Sequence, residues 1–553
     1  MYVWPAPPPG SGRRRPSIVA AGIALALVVA IAGGTYLTGS GQTGSGQTGP
    51  GRSSGPSGSS TGSVTIFGGE PSSLDPAVQS DMDSAQVVAQ LFESLTAIDT
   101  AGNVQPALAD SWQSSNGGER LVFHLRSGLV FSDGSPLVAA DVISSWMRVL
   151  DPAQPSQLAS LLDDVVGAQA YREGSGAKSA VGLSAIGDDQ IEVDFTSPSP
   201  EFPAIAASPT LAVVPPTIDS NPNALTPNGF VGSGAYILSG LTDTEVTLTA
   251  NRHYWAGTPS IATVHQLFSI GGDSPVSDFE SGTLDYTPIS YDDASWIAYD
   301  KTLGPLLHVD QSPSVEFYGF DTSRPPFSDV HVRRAFQMGI DWRGIIALQA
   351  DPLMQPATGM VPPDVPGHSA TDFGPVFNLT QARAELAAAG YPNGVGFPKI
   401  TLVTAGAPLD EAIVRQLHDN LGIDIGYETR DFASYNEELL TNPPAFWEMD
   451  WVADYPGAND FLGLLLGTGK TNNFGRWSSS DFDNDIDQAL AAGDQASMQQ
   501  ALDGAQAVVL DQAPVIPVDY DGGYSLAKSN LLGAVTNGQG LMRYASLAWG
   551  SGS

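Results

Sequence analysis

The residues that could carry catalysis are acidic pairs and histidines, and their spacing supports no catalytic site. Adjacent carboxylates occur at Asp163 and Asp164 and again at Asp292 and Asp293. Such pairs act as acid and base only where a fold sets them across a cleft, and nothing in the sequence does so. The chain has no cysteine, and its seven histidines are not spaced as metal ligands. We therefore expect no enzyme, no metal site and no cofactor.

Two short matches to known motifs fall in a tract that cannot support them. Residues 39–44 (GSGQTG) match a dinucleotide-binding fingerprint, and residues 51–55 (GRSSG) match a nucleophile elbow. Both motifs require a strand before them and a helix after them. Residues 38–63 are almost entirely Gly, Ser, Thr, Gln and Pro, a composition that forms a flexible linker.

The charge balance excludes one class of partner. Asp and Glu number 59 against 23 Lys and Arg, which gives a formal net charge of −36. A chain this acidic has no basic surface with which to neutralise phosphates, so we expect no nucleic-acid binding. The charge keeps the protein soluble, and it could also draw cationic ligands toward a cleft.

The N-terminus predicts export. Arg13, Arg14 and Arg15 precede an uncharged run over residues 18–37, long enough to cross about 30 Å of hydrocarbon as a helix. The basic cluster predicts that residues 1–17 stay in the cytoplasm and that the folded part lies outside, held in the cell membrane by a single anchor. The alternative is a cleaved signal peptide, because residues 30–32 (AIA) have the form that signal peptidase accepts.

From Val64 onward, strand-like and helix-like patterns alternate, which indicates α/β lobes. Alternating apolar residues predict strands, and apolar residues at helical spacing predict helices. The predicted strands are 64–67, 121–125, 190–195 and 245–250; the predicted helices are 83–97, 138–150, 381–389 and 410–420. This stretch is too long for one ordinary core, so two or three lobes are expected.

An ordered series of segments carries a family resemblance. The series is EPSSLDP (70–76), LFESLTAID (91–99), FHLRSGLVFSDGSPLVAADVISSW (123–146), GSGAYIL (232–238), NRHYWAG (251–257), FESGTLDY (279–286), FDTSRPPFSDVHVRRAFQMGID (320–341), AELAAAGYPNG (384–394), ADYPGANDF (453–461), NNFGRWSSSDFD (472–483) and APVIPVDY (513–520). Together they resemble the extracytoplasmic solute-binding proteins of family 5, the receptors of oligopeptide, dipeptide and nickel ABC importers.

The resemblance implies a periplasmic-binding-protein-like fold of type II, with two α/β lobes and an inserted third subdomain. On this basis lobe I comprises residues 64–98, 212–312 and 518–553, the inserted subdomain 99–211, and lobe II 313–517. The implied function is that of the extracytoplasmic receptor of an ABC importer, with oligopeptides as ligands. The implied partners are a peptide or other small solute and an ABC permease in the membrane, and we expect a monomer.

The same resemblance points to ligand-binding residues. In peptide-binding members the Asp that matches Asp454 pairs with the α-ammonium group of the ligand, a charge-assisted hydrogen bond. Asp450, Trp451 and Val452 would offer backbone groups to an extended peptide, and Met82 would do so from lobe I. The further candidates are aromatic walls, for which a plain core role is an equal alternative: Trp451, Tyr455, Phe432 and Tyr318.

The chain departs from the family pattern at one place. Peptide-binding relatives often meet the C-terminal carboxylate of the ligand with basic side chains, whereas the aligned positions here are Gly406, Leu439 and Glu448. A longer peptide, a cationic solute or a sugar-bearing ligand would fit an acidic cleft better. The alternative function is a cell-envelope regulator or interaction protein that uses the same scaffold without transport.

Overall fold

The computed structural model describes residues 62–272 and 274–550. The predicted anchor at 18–37 and nearly all of the predicted linker at 38–63 lie outside this part. Among the helices of the described residues, none has the length and apolar character that crossing a membrane requires.

The described residues form alternating strands and helices. The strands are β1 Ser63–Phe67, β2 Thr96–Ile98, β3 Val104–Pro106, β4 Ala109–Ser115, β5 Arg120–Leu125, β6 Leu183–Ile186, β7 Gln190–Asp194, β8 Tyr236–Leu241, β9 Glu245–Ala250, β10 Thr263–Leu267, β11 Tyr286–Ile289, β12 Leu307–Gln311, β13 Ser314–Phe320, β14 Gln355–Pro356, β15 Thr401–Thr404, β16 Gly426–Thr429, β17 Phe446–Val452, β18 Val515–Tyr520, β19 Gly522–Ala527, β20 Leu531–Leu532 and β21 Ala548–Trp549. The helices are α1 Met82–Leu91, α2 Ala139–Val149, α3 Ala168–Arg172, α4 Phe202–Ile205, α5 Pro275–Ser281, α6 Tyr291–Ile297, α7 Val330–Gly339, α8 Trp342–Gln349, α9 Leu379–Ala388, α10 Asp410–Gln416, α11 Phe432–Thr441, α12 Ala458–Phe461, α13 Gly463–Leu466, α14 Ser480–Ala491 and α15 Gln495–Gln512.

The first large sheet is assembled from distant parts of the chain. Its strand order is β12-β19-β11-β1-β10-β9-β8, so β1 lies inside the sheet and β19 returns from the C-terminal region. Strand β1 pairs in parallel with both β10 and β11. Its side chains alternate, with Val64 and Ile66 buried in the core of this lobe. This sheet forms lobe I.

The second large sheet has the order β14-β18-β13-β17-β15-β16 and forms lobe II. Its central strand β13 is buried along its whole length and pairs antiparallel with both β17 and β18. Strand β18 runs to Tyr520, three residues past the predicted end of lobe II at 517, because Asp519 pairs with Glu316 in the ladder to β13.

The third sheet belongs to the inserted subdomain. Strands β4-β5-β7-β6 form an antiparallel sheet, and α2 packs on it. Phe123, Trp146 and Phe202 meet in its core with ring centroids 5.7–6.5 Å apart. The chain leaves lobe I and returns to it at one point, where Glu93 bridges Val213.

Two neighbouring crossings join the lobes. The chain passes from β12, which ends at Gln311, to β13, which begins at Ser314, and later from β18, which ends at Tyr520, to β19, which begins at Gly522. The Ser312 N–H donates to the Asp521 carbonyl oxygen at 3.1 Å, so the two crossings lie side by side. A pair of short adjacent crossings is the geometry of a hinge.

Candidate ligand-binding site between the lobes

The segment 451–455 (WVADY) contains the end of β17 and the residues that follow it. It lies on the side of the lobe II sheet where the strands end near the hinge. Val452 pairs with Ser314, and the Ala453 N–H then donates to the Pro313 carbonyl oxygen at 2.9 Å. On its other side β17 pairs with β15 only at Phe446 and Trp447. Among the described strands, none pairs with that other edge of β17 beyond Trp447. An extended ligand could therefore add to it as a further strand.

One buried carboxylate orients this segment. Asp460, on α12, is fully buried, and its Oδ2 accepts hydrogen bonds from Trp451 Nε1 at 3.1 Å and from the Asp454 backbone N–H at 3.0 Å. Burial, reinforced by the neighbouring Asp454, raises the pKa of Asp460 well above its usual range. Asp460 thus fixes both the indole of Trp451 and the backbone from which the Asp454 side chain projects.

The Asp454 carboxylate is half-buried and has an unused acceptor. Its buried Oδ2 has no hydrogen-bond partner within the described residues. Burial raises the pKa of Asp454 to about 7. An ammonium group bound here would supply the missing partner and favour the charged carboxylate.

Lobe I meets this segment through its C-terminal region and α1. Gln539 Nε2 donates to the Asp454 carbonyl oxygen at 2.8 Å. A Cβ placed on Gly540 would lie 3.3 Å from Met82 Cε and 3.5 Å from Val452 Cγ1. The side chains of Met82 and Val452 therefore both lie close to Gly540. The structure thus brings Met82, Val452 and Asp454 together between the lobes.

The predicted aromatic walls are dispersed. Trp451 is half-buried and packs against the cores of both lobe II and the inserted subdomain. Tyr455 is buried, and its hydroxyl accepts from Asn459 Nδ2 at 3.2 Å. Phe432 is half-buried against the lobe II core. Tyr318 is fully buried and donates to Asp410 Oδ1 at 3.0 Å, so it lies in the core rather than at the cleft.

The inserted subdomain also touches lobe II. Asn436 Nδ2 donates to Gln157 Oε1 at 2.8 Å, and Lys470 Nζ lies 3.6 Å from Asp164 Oδ1. A pocket of about 190 Å³ lies beside these contacts and is lined in part by Tyr455. These contacts, with the Gln539–Asp454 bond, hold the lobes in a closed arrangement.

Sequence reasoning missed a row of acidic side chains next to this region. Asp450 on β17, Glu316 on β13 and Asp519 on β18 are direct neighbours across three strands, and Glu448 lies two residues before Asp450 on the same face of β17. Burial and the mutual repulsion of these groups raise the pKa values of Glu316, Glu448 and Asp519 well above the usual range. The signal was present in β17 (FWEMDWV), where acidic residues occupy alternate positions of an otherwise apolar strand.

Two lobes, two adjacent crossings and polar groups converging between the lobes define a solute-binding protein of the hinged, two-lobed class. Comparison with known proteins places the chain within that class. Residues 103–473 match the family described as bacterial extracellular solute-binding proteins, family 5. The probable deoxycholate-binding periplasmic protein YgiS of Escherichia coli is 30% identical, over 82% of this chain and 86% of its own length. The oligopeptide-binding protein OppA of Bacillus subtilis is 25% identical, over 85% of this chain and 89% of its own.

A solved structure supports the same fold. The murein tripeptide binding protein MppA of Escherichia coli matches with a TM-score of 0.79 at 24% identity, covering 89% of this chain and 99% of that one. Its unliganded open form matches with a TM-score of 0.65, covering 88% of this chain and 97% of that one. The chain belongs to family 5 of the bacterial extracellular solute-binding proteins. It is thus an extracytoplasmic receptor of the kind that serves ABC importers.

Proposed function

We propose that this receptor captures oligopeptides and presents them to an ABC permease in the membrane. The observation that carries the proposal is the Asp454 carboxylate. Its Oδ2 has no partner among the described residues, and it stands at the end of a strand with an edge that no described strand covers. Asp454 would bind the α-ammonium group, and the backbone of residues 450–452 would pair with the peptide. Met82 would close on the peptide from lobe I, and Trp451 and Tyr455 would flank it. Phe432 and Tyr318 would support the site from the lobe II core.

The ligand class follows from the charge of the site. The name of YgiS describes that relative as deoxycholate-binding, and deoxycholate is a carboxylate anion. In the present chain an anion would meet Asp454 and the acidic row of β13, β17 and β18 with no described basic side chain in an ion pair there. A peptide with a free α-ammonium group suits this charge better. The proposal therefore favours peptides over bile acids.

Replacing Asp454 by Asn tests the proposal. Isothermal titration calorimetry of the full-length protein at pH 8 would compare pentaalanine, N-acetylated pentaalanine and deoxycholate. We expect pentaalanine to bind, and Asp454→Asn to weaken it by about 2 kcal/mol or more, because the charged partner of the ammonium group is lost. The acetylated peptide should bind the unaltered protein about as weakly as pentaalanine binds the variant.

The matched control is Asp243→Asn, which makes the same charge change at an exposed position between β8 and β9. It should leave pentaalanine binding unaltered. Unchanged affinity in Asp454→Asn would remove Asp454 from the site, and binding of deoxycholate in preference to both peptides would replace the proposed ligand class.

We also propose that residues 18–37 remain as an uncleaved anchor, so that the receptor works at the outer face of the cell membrane. In this proposal the receptor is a monomer that binds solute, catalyses no reaction and contacts no nucleic acid. The basic residues Arg13 to Arg15 and the length of the apolar run support the anchor. The anchored protein should stay in the membrane pellet after alkaline carbonate extraction and retain its N-terminal Met1 by mass spectrometry. Release into the soluble fraction with a new N-terminus after residue 32 would favour signal peptidase cleavage.

A further inference from the structure

The acidic row beside the hinge consists of Glu316, Glu448, Asp450 and Asp519. These carboxylates are not part of the proposed α-ammonium site at Asp454. Glu448 and Asp519 are fully buried. Neither oxygen of Asp519 has a hydrogen-bond partner within the described residues, and those of Glu448 make no hydrogen bond of normal geometry there, although the Ala405 backbone lies close enough to favour the charged form. Glu316, nine-tenths buried, lies between their strands and has one such oxygen, Oε1. A buried carboxylate without a partner is strongly unfavourable, so three in one row require an explanation.

A shared proton does not supply that explanation. Protonated carboxyl groups satisfy each other when an O–H of one donates to an oxygen of the next, as in paired acids. Here no hydrogen bond of normal geometry joins an oxygen of Glu448 or of Asp519 to another described carboxyl group. These acids therefore do not satisfy one another by sharing a proton.

The row is continuous with the cleft. Along one face of β17, the side chains run from Val452, which approaches Gly540 and Met82 between the lobes, through half-buried Asp450 to Glu448. Asp519 lies two residues before half-buried Asp521 at the second crossing of the hinge. A group that enters beside Val452 would thus encounter these carboxylates in succession.

The arrangement of these carboxylates limits the kind of ligand group that could bind to them. No three acidic or histidine side chains of the described residues are placed to hold a metal ion. Carboxylates that do not form a metal-binding group can instead serve an organic cation with several N–H donors, each of which can reach a different acceptor. An organic ammonium or guanidinium group has this form.

We propose that Glu316, Glu448 and Asp519 form a subsite for a cationic side chain of the bound peptide, so that the receptor selects peptides containing lysine or arginine. This inference rests on the proposed function, since it assigns specificity within the same cleft. The family resemblance aligns Glu448 with a position where peptide-binding relatives often carry a basic residue, so the subsite would replace recognition of a carboxylate by recognition of a cation. Asp454 would hold the α-ammonium group at one end, while the acidic row receives a side chain farther along the peptide.

The length of the probe follows from the strand. Glu448 and Asp454 are six residues apart, and an extended strand rises about 3.3 Å per residue, so a pentapeptide spans most of the separation. The probes are pentaalanine, four peptides with a single lysine at positions 2 to 5, and the same four with norleucine, which has a similar length and no charge. Affinities would be measured by calorimetry on the full-length protein at pH 8.

We expect at least one lysine peptide to bind about tenfold more tightly than both its norleucine counterpart and pentaalanine. Glu448→Gln and Asp519→Asn retain the size of the side chain and should each reduce that ratio toward one, with pentaalanine affinity unchanged. Glu437→Gln, an exposed position on α11 of the same lobe, is the matched control and should leave the ratio intact.

Equal affinities for lysine, norleucine and alanine peptides in the unaltered protein would overturn the subsite while leaving the peptide receptor in place. A lysine preference that survives both amide substitutions would also overturn it. If neither amide variant folds, the comparison of lysine with norleucine in the unaltered protein decides alone. Failure of every peptide to bind would instead reject the proposed function, and the subsite with it.

Discussion

Asp460 is the residue on which the position of Asp454 depends most directly. It is fully buried, and one of its oxygens accepts from both the Trp451 indole and the Asp454 backbone. Asp460→Ala would leave two donors without an acceptor, and each such loss costs about 1–3 kcal/mol. We expect that variant to lose about 2–4 kcal/mol of unfolding free energy in urea denaturation and to bind pentaalanine more weakly.

The comparison variant for this prediction is Asp460→Asn, which keeps one acceptor oxygen and removes a buried charge beside Asp454. Its unfolding free energy should stay within about 1 kcal/mol of the unaltered protein, because a neutral acceptor serves the same two donors without the repulsion. If the Ala and Asn variants were equally unstable, the buried charge rather than the hydrogen bonding would determine the role of Asp460.

At the scale of elements, the sequence pattern predicted the bounds of a strand or helix well where that element is amphipathic along its whole length. The predicted strand 245–250 coincides with β9, and the predicted helix 138–150 differs from α2 by one residue at each end. The predicted helix 83–97 was too long. Helix α1 ends at Leu91 because Phe92 takes an extended backbone and the Leu91 carbonyl oxygen accepts from the Gly234 N–H, a partner far away in sequence. Apolar spacing alone could not reveal that tertiary bond.

The part of the candidate site that could be predicted from the sequence is the part formed by a single continuous segment. Asp454 and its neighbours lie in a single motif, and Met82 entered through the family resemblance; the structure brings them together, and their role in binding stays a prediction. The alternating acids of β17 were visible in the sequence, but the row as a whole was not predictable, because Glu316, Glu448 and Asp519 come from three strands that only the sheet order β18-β13-β17 makes adjacent. Tyr318 shares the face of β13 that carries Glu316, yet it packs into a core.

At the scale of the whole molecule, buried acids link stability to pH. Burial raises the pKa values of Glu201 and Asp454 to about 7 and that of Asp521 to about 6, and it raises those of Glu316, Glu448, Asp460 and Asp519 well above the usual range. In the unfolded chain these groups would titrate near pH 4. Between about pH 4 and the raised pKa values, the folded protein holds more protons than the unfolded chain. Its free energy of unfolding therefore decreases as pH rises through this range.

We therefore expect the ligand-free protein to melt at a higher temperature at pH 5.5 than at pH 8, by roughly 3 °C or more in scanning calorimetry. The charge that acts on Glu201 is the acidic Asp164, and Asp454 lies beside the acidic Asp460, so these neighbouring charges reinforce the effect of burial. A melting temperature that is flat or rises from pH 5.5 to pH 8 would contradict the burial of these carboxyl groups.

A cationic ligand should reverse part of this dependence. Its positive charge favours the ionised form of the acids that it contacts, so it binds more tightly at pH 8, where fewer protons compete, than at pH 5.5. The increase in melting temperature produced by a saturating lysine-containing pentapeptide should consequently be larger at pH 8. Pentaalanine, which reaches Asp454 but carries no side-chain cation, should show a smaller difference between the two pH values. Equal differences for the two peptides would mean that the acidic row titrates without contacting the ligand, since only the α-ammonium group would then be coupled to proton release.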